Sequence, residues 1–251
     1  MLTIPIHDQT GAQVGEETLD PASFGVKGIN KQLLHDVVVM HLANRRVGTV
    51  NTRGRADVAG SGKKMYRQKG TGNARMGAKR TNKRKGGGMA FARRNRDYSY
   101  ALPKRAVRLA IRMALLSKFQ DKQAIILDGL AASADAPLKT RQVVKVLKAI
   151  RRPDLADGEA NPVDGESKAA AARRSLDGRS ILLGTPALDV RIHRGARNIE
   201  GVKVAPVAEF NTYDVLKQRY LVLTREAFAA LKERVAKPVT RIAAPAAETE
   251  A

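Results

Sequence analysis

RDYSYALPKRAVRLAIRMALLSKFQDKQAIILDG, residues 96–129, runs through three kinds of sequence in one span. Its first residues are polar and basic and carry no apolar period. From Pro103, a residue suited to the first helical turn, Ala106, Val107, Ala110, Ile111, Ala114 and Leu115 recur at three- and four-residue spacing. Lys104, Arg105, Arg108 and Arg112 fall on the opposite side. The pattern predicts a helix that packs on a core with one face and offers the other to phosphates. Ala124–Leu127 is then a short, wholly apolar run and a candidate strand.

The same alternation continues toward the C-terminus. Leu138–Ile150 reads as an amphipathic helix, and Ser180–Leu183, Val202–Val207 and Tyr220–Leu223 as strands. Short helices lie between them, and a further helix follows from about Arg225 to Val235. Apolar runs alternating with helical ones predict an α/β fold: a single globular domain with a mostly parallel sheet flanked by helices. On the N-terminal side, LTIPI (2–6) alternates, and Gly11 precedes Val14, which predicts a small hairpin. Asn30 is a suitable N-cap for a helix to about Arg46, with Leu33, Leu34, Val37, Val38, His41 and Leu42 at helical spacing. Pro153–Gly178 is acidic and Ala-rich and reads as a surface insertion, and residues 236–251 as a disordered tail.

Between the two halves, residues 49–99 break every period. They hold nine glycines, few large aliphatics and dense Lys and Arg. Such a stretch buries too little apolar area to offset its own ordering entropy, so it reads as an extended or flexible basic loop. The expected organisation is residues 1–48 and 100–235 as the globular domain, with 49–99 projecting from it.

Charge points the same way. The chain of 251 residues has 46 Lys and Arg against 24 Asp and Glu, a formal net charge of +22. Residues 1–40 carry a net of −3, whereas residues 41–108 carry 20 Lys and Arg against Asp57 and Asp97, a net of +18. A basic excess this clustered points to a polyanion, most often nucleic acid. There is no Cys, which excludes a disulfide framework, Cys-ligated metal and a thiol nucleophile. The first twenty residues contain no Lys or Arg, unlike a secretory or transit segment, and the apolar run Val37–Ala43 is too short to span a bilayer.

Enzyme chemistry finds no foothold. His7, His35, His41 and His193 form no metal-ligand spacing. GSGKK (60–64) fails as a phosphate loop because Asp57 stands where glycine is needed and Lys64 where Ser or Thr is needed. GTG (70–72) is followed by Arg75 at the third glycine position of a dinucleotide fingerprint. Asp128 and Thr185 follow apolar strands but have no partner base or nucleophile in the pattern, so they read as turn or cap residues. No enzyme, metal or cofactor is expected.

The basic loop, by contrast, is stocked for RNA. Lys63, Lys64, Lys69, Lys79, Lys83 and Lys85 supply point charges, while Arg67, Arg75, Arg80, Arg84, Arg93, Arg94 and Arg96 can fork onto phosphates or lie flat on bases. Glycines let backbone approach a nucleic-acid surface. Of the aromatics Tyr66, Phe91, Tyr98 and Tyr100, Tyr66 suits base stacking, and the last two, next to the helix, suit packing against the globular domain. If ~10 of these cations each neutralise a phosphate, binding should weaken with salt at a log–log slope of roughly −7 to −9.

GSGKK, RQKGTG (67–72), the triple glycine at 86–88 and RDYSYALPKR leading into a basic helix resemble large-subunit ribosomal protein four, the L-four family, in its bacterial form. The motif stretch covers about Arg53–Lys118, and the flanking α/β pattern extends the resemblance along the chain. It implies a primary, early-assembling binder of large-subunit ribosomal RNA in the cytoplasmic ribosome. Its loop would penetrate the RNA and help line the polypeptide exit tunnel, with neighbouring subunit proteins and the nascent chain as further partners. On that resemblance the tip, Gly62, Lys63, Lys64, Met65, Tyr66 and Arg67, lies nearest the tunnel wall. RNA would be gripped by Arg53 and Arg55, by Gln68 with the lysines and arginines already named, and by Lys104, Arg105 and Arg108. Where the family has Pro-Trp this chain has Met65-Tyr66, and where it has Trp before the triple glycine this chain has Lys85. Those exchanges favour charge–phosphate contact over stacking. A messenger-RNA regulator, a role that some family members take at their own operon, is the alternative; a nucleotide-dependent enzyme and a nucleoid-type DNA binder rank below it.

Overall fold

The computed structural model describes residues 1–26, 28–130, 138–150 and 175–236. Most of the acidic stretch 153–178 and all but the first residue of the tail 236–251 lie outside them. The chain forms two compact units, Met1–Val39 with Leu102–Ala251, and Met40–Ala101.

The first unit is built on one sheet. Strands β1 (Leu2–His7) and β2 (Gln13–Leu19) make the N-terminal hairpin expected from sequence. The others are β3 (Ala124–Leu127), β4 (Ile181–Thr185), β5 (Val202–Pro206) and β6 (Tyr220–Thr224). The sheet order is β2-β1-β3-β6-β4-β5. Only β1 and β2 pair antiparallel, Leu2 opposite Leu19; every other neighbouring pair is parallel, with Ile125 opposite Val222 and Leu183 opposite Val222 on either side of β6. The central strands β3 and β6 are buried nearly throughout, which is why they are written as unbroken apolar runs rather than as alternating ones.

The described helices are α1 (Lys31–Asn44), α2 (Lys104–Gln120), α3 (Thr140–Ala149), α4 (Val190–Ala196), α5 (Thr212–Lys217) and α6 (Arg225–Ala236). One face of the sheet, presenting Ile125, Leu127, Ile181, Leu183 and Val222, packs on Val143, Val146 and Leu147 of α3 and Ile192 and Ala196 of α4. The alternate residues of the strands point the other way. On that side Phe119 of α2 stands 5.8 Å from Phe24 and 6.4 Å from Phe228 of α6, ring centre to ring centre. Layers of helix on both faces are the α/β arrangement the sequence predicts. No helix among the described residues is long and apolar enough to cross a membrane.

Two expectations about buried residues are corrected by the structure. Leu176, inside the stretch expected as a surface insertion, is fully buried in the core, and its N–H reaches the carbonyl of Ile150 at 3.3 Å. Ser175 beside it is buried as well, so these two residues, expected within the surface insertion, belong to the core. A single leucine among acidic and small residues carries too little periodicity to reveal that. Arg112, expected on the phosphate-facing side of α2, is instead half-buried, and its guanidinium donates to the carbonyl of Phe24 at 3.4 Å. Burial beside Arg108 lowers its pKa.

Candidate nucleic-acid interface

The second unit, Met40–Ala101, has 17 Lys and Arg and two acids. It begins with the end of α1, whose start is capped as expected: the Asn30 side chain accepts from the N–H of Leu33 at 3.2 Å. From there the chain runs out and back as two limbs tied across by backbone. The N–H of Arg96 donates to Gly48, that of Thr52 to Arg93, that of Met89 to Arg53 and that of Met65 to Gly77, at 2.9–3.3 Å. Bridges join Gly54 to Met89 and Lys64 to Ala78. Sequence composition predicts a loop with too little core to order itself, and Gly88 is the one buried residue between Thr49 and Ser99. Order comes from this ladder of backbone bonds instead.

The returning limb packs by close backbone approach. Thr81, Arg84 and Gly87 donate in turn to Ala78, Thr81 and Arg84, so residues 78–87 form consecutive tight turns. A Cβ on Gly87 would collide with the carbonyl of Thr81, and one on Gly88 with the backbone of Gly54 and Arg55. The triple glycine thus lets the protein approach itself, a use that the sequence does not distinguish from approach to a ligand.

Beyond Met65 and Gly77 the chain reverses. There the Tyr66 hydroxyl donates to the carbonyl of Ala74, and Arg67 donates to Gly70 at 2.8 Å. The reversal holds Tyr66, Arg67, Gln68, Lys69 and Arg75; Gly62, Lys63, Lys64 and Met65 lie on the limb leading into it. Lys64 Nζ donates to the Gln68 side chain.

Most of the cations singled out from sequence are exposed: Arg53, Arg55, Lys63, Lys64, Arg67, Lys69, Arg75, Lys79, Lys83, Lys85, Arg93, Arg94 and Arg96, and on α2 Lys104, Arg105 and Arg108. Tyr66, Arg80 and Arg84 are half-buried. Arg80 lies against Gly60 and Gly62, its Nη1 3.5 Å from the carbonyl of Val58, and its buried Nε has no hydrogen-bond partner among the described residues. Arg84 reaches the sulfur of Met65. These two arginines brace the limbs.

Both acids are spent locally. Arg94 pairs with Asp57 at 2.7 Å, and the Gly54 N–H donates to the same oxygen at 2.9 Å; these bonds hold the carboxyl below the usual carboxylate range. Asp97 accepts from the backbone and hydroxyl of Ser99, which lowers its pKa likewise. Neither acid neutralises the cationic surface as a whole, so the unit keeps a net +15.

Sequence reading overlooked Arg46. Its guanidinium carbon sits 3.8 Å from the centre of the Tyr98 ring, and that of Arg96 sits 4.3 Å from it. Tyr98 is therefore an anchor for cations within this unit. The phenol pKa is lowered, chiefly by the bond from Arg96. The one available signal was that Arg46 falls within the basic block 41–108 although it belongs, by period, to the end of a helix.

Elsewhere the catalytic candidates are quiet. Thr185 Oγ1 donates to the carbonyl of Ala187 at 2.7 Å, and Asp128 takes Arg225 at 3.4 Å. Among the described residues no group of His, Cys, Asp and Glu is placed to hold a metal ion.

Comparison with known sequences agrees with the architecture. The pattern of the ribosomal protein L4/L1 family matches residues 18–234. The large ribosomal subunit protein uL4 of Rhodopirellula baltica is 41% identical over 233 residues, 93% of this chain and 92% of that protein. The proteins of the same name from Natranaerobius thermophilus and Syntrophomonas wolfei are 37% and 40% identical, each over 93% of this chain and 99% of the relative. A match of this extent, over a six-stranded α/β sheet and a braced basic arm, places the chain in the ribosomal protein L4/L1 family.

Proposed function

We propose that this protein is a structural, non-catalytic constituent of the large ribosomal subunit, in the cytoplasm, and that it binds the ribosomal RNA of that subunit directly and early in assembly. The arm, residues 49–99, enters folded RNA, and its far end, from Gly62 through Arg67, borders the path of the nascent polypeptide. Neighbouring subunit proteins are its other partners. The observation that carries this reading is the unit of net +15 whose cations are exposed on a backbone-braced arm. Charge held on a preformed scaffold loses less entropy on binding than charge on a free coil. The exposed face of α2, with Lys104, Arg105 and Arg108, adds further phosphate contacts.

Binding of the purified chain to fragments of large-subunit ribosomal RNA across a salt titration tests it. With ~10 phosphates engaged, the log–log slope should lie near −7 to −9. Deleting residues 53–97 should abolish site selectivity while the α/β unit still unfolds cooperatively. Equal binding to every polyanion, or selective binding that survives the deletion, would refute the reading.

A further inference from the structure

We propose that the base of the arm holds a phosphate-binding subsite, in which Arg46, Arg93 and Arg96 together take the phosphodiester of one RNA nucleotide. The inference rests on the RNA-binding reading above and assigns one place within it.

A recess of about 520 Å³ opens here, lined by Arg46, Gly48, Val50, Ala92, Arg93, Arg94, Arg96 and Tyr98. That volume is within the range of sites that enclose small ligands. Four arginines line it, Arg46, Arg93, Arg94 and Arg96. Arg94 pairs with Asp57 at 2.7 Å, and among the described residues no ion pair joins Arg46, Arg93 or Arg96 to a carboxylate. Like charges gathered in a concavity repel, and an anion placed among them relieves that repulsion. Tyr98 holds two of them, Arg46 and Arg96, against its ring at 3.8 and 4.3 Å. Their planar forks are pre-set to grip oxygen pairs.

The recess is built, not incidental. Gly48 sits at φ 69°, and a Cβ there would collide with the carbonyl of Arg96 and approach the Tyr98 ring to 3.1 Å. Only glycine lets the two limbs close at this point through the Arg96-to-Gly48 bond. The lining also selects the ligand. The aromatic ring is engaged by guanidinium groups, so it offers little platform for a base. The apolar lining is confined to Val50 and Ala92, with Gly48 between limbs. A phosphodiester meets these chemical demands better than a nucleobase.

The test uses the full chain and large-subunit ribosomal RNA. Arg46→Ala and Arg96→Ala should each weaken binding roughly tenfold, as loss of a charge-assisted contact does, and flatten the salt slope by about one. Arg46→Lys keeps the charge but not the fork and should recover only part of the loss. Two variants fill the recess from opposite limbs without changing any charge, Ala92→Leu and Val50→Phe. At least one that retains the thermal unfolding of the parent should lose affinity to the same degree. Arg45→Ala, which removes an exposed cation next to Arg46 that does not line the recess, should cost about threefold or less. Wild-type binding by the folded filling variants, or an Arg46→Ala loss no larger than that of Arg45→Ala, would overturn the subsite while leaving RNA binding by the arm intact. Failure of the parent chain to bind the RNA would remove both readings. If the recess variants bind RNA normally but lose affinity for a poly-glutamate peptide, the site takes an acidic protein segment and the proposal falls.

Discussion

His7 ends β1 at the point where the hairpin register shifts, and its Nδ1–H donates to the carbonyl of Gly11 at 3.2 Å. Burial of the ring pushes its pKa below the ordinary 6.5, against a smaller opposing effect of that bond. The unfolded chain therefore takes up a proton at a pH where the folded one does not. His7 thus costs no stability above pH 6.5, and stability is lost as pH falls below it toward the lowered folded value. We expect the melting temperature of the parent to drop more steeply below pH 6.5 than that of His7→Gln. Parallel curves for the two proteins would show that His7 has no part in the acid response. Lys118 shows the same logic with a different residue type: buried on α2, it donates to the Gln123 side chain at 2.8 Å and to the carbonyl of Arg219 at 3.0 Å, and burial lowers its pKa. Neither residue announces itself in the sequence, where a histidine after a short strand and a lysine late in a helix look ordinary.

At the scale of the element, the arm behaves as two limbs held by a few cross-links. Arg80 is the densest of these, touching Gly60, Gly62 and Val58 on the outgoing limb while its own carbonyl accepts from Gly88. Arg80→Ala removes the side-chain brace and leaves the backbone ladder. We expect hydrogen exchange at the Met65 and Gly88 amides to speed up by roughly tenfold, equivalent to about 1.4 kcal/mol of local opening, with β3 and β6 unaffected. Unchanged exchange at both amides would mean that the backbone alone holds the limbs. Helices were the most legible elements. The start of α1 follows from the Asn30 cap, and the apolar stripe of α2 from its period; Pro103, expected in the first turn of α2, instead stands just before it at the N-cap position, with ψ 130° and no side-chain cap bond. The polar stripe of α2 was legible only in part, since Arg112 lies at the stripe's edge and turns inward to Phe24.

Across the whole molecule, the two units rest on different physics. The first has a sheet with apolar layers on both faces, the second a backbone ladder with little apolar burial. Substitutions on the arm should therefore leave the global unfolding of the α/β unit unchanged. Lys63→Glu and Lys64→Glu, both on exposed side chains, are expected to shift the melting temperature of the free protein by less than about 2 °C. A larger loss would show that the arm contributes to the cooperative core. RNA binding by the same variants should weaken, because each exchanges an attractive charge for a repulsive one.

The α/β class, the place of most strands and helices, and the basic arm can all be read along the chain. All of these are local: periodicity, capping residues and charge density are properties of neighbours along the chain. Its family resemblance also lay in contiguous motifs. Tertiary structure alone decided the order β2-β1-β3-β6-β4-β5, since parallel pairing brings together strands such as β3 and β6 that lie nearly a hundred residues apart. It also decided that Leu176 is core, that Arg80 and Arg84 brace the arm, and that Arg46 meets Arg96 on the ring of Tyr98. Each of these depends on which distant residues the folded backbone brings within a few ångströms, and no period or composition along the chain encodes that distance.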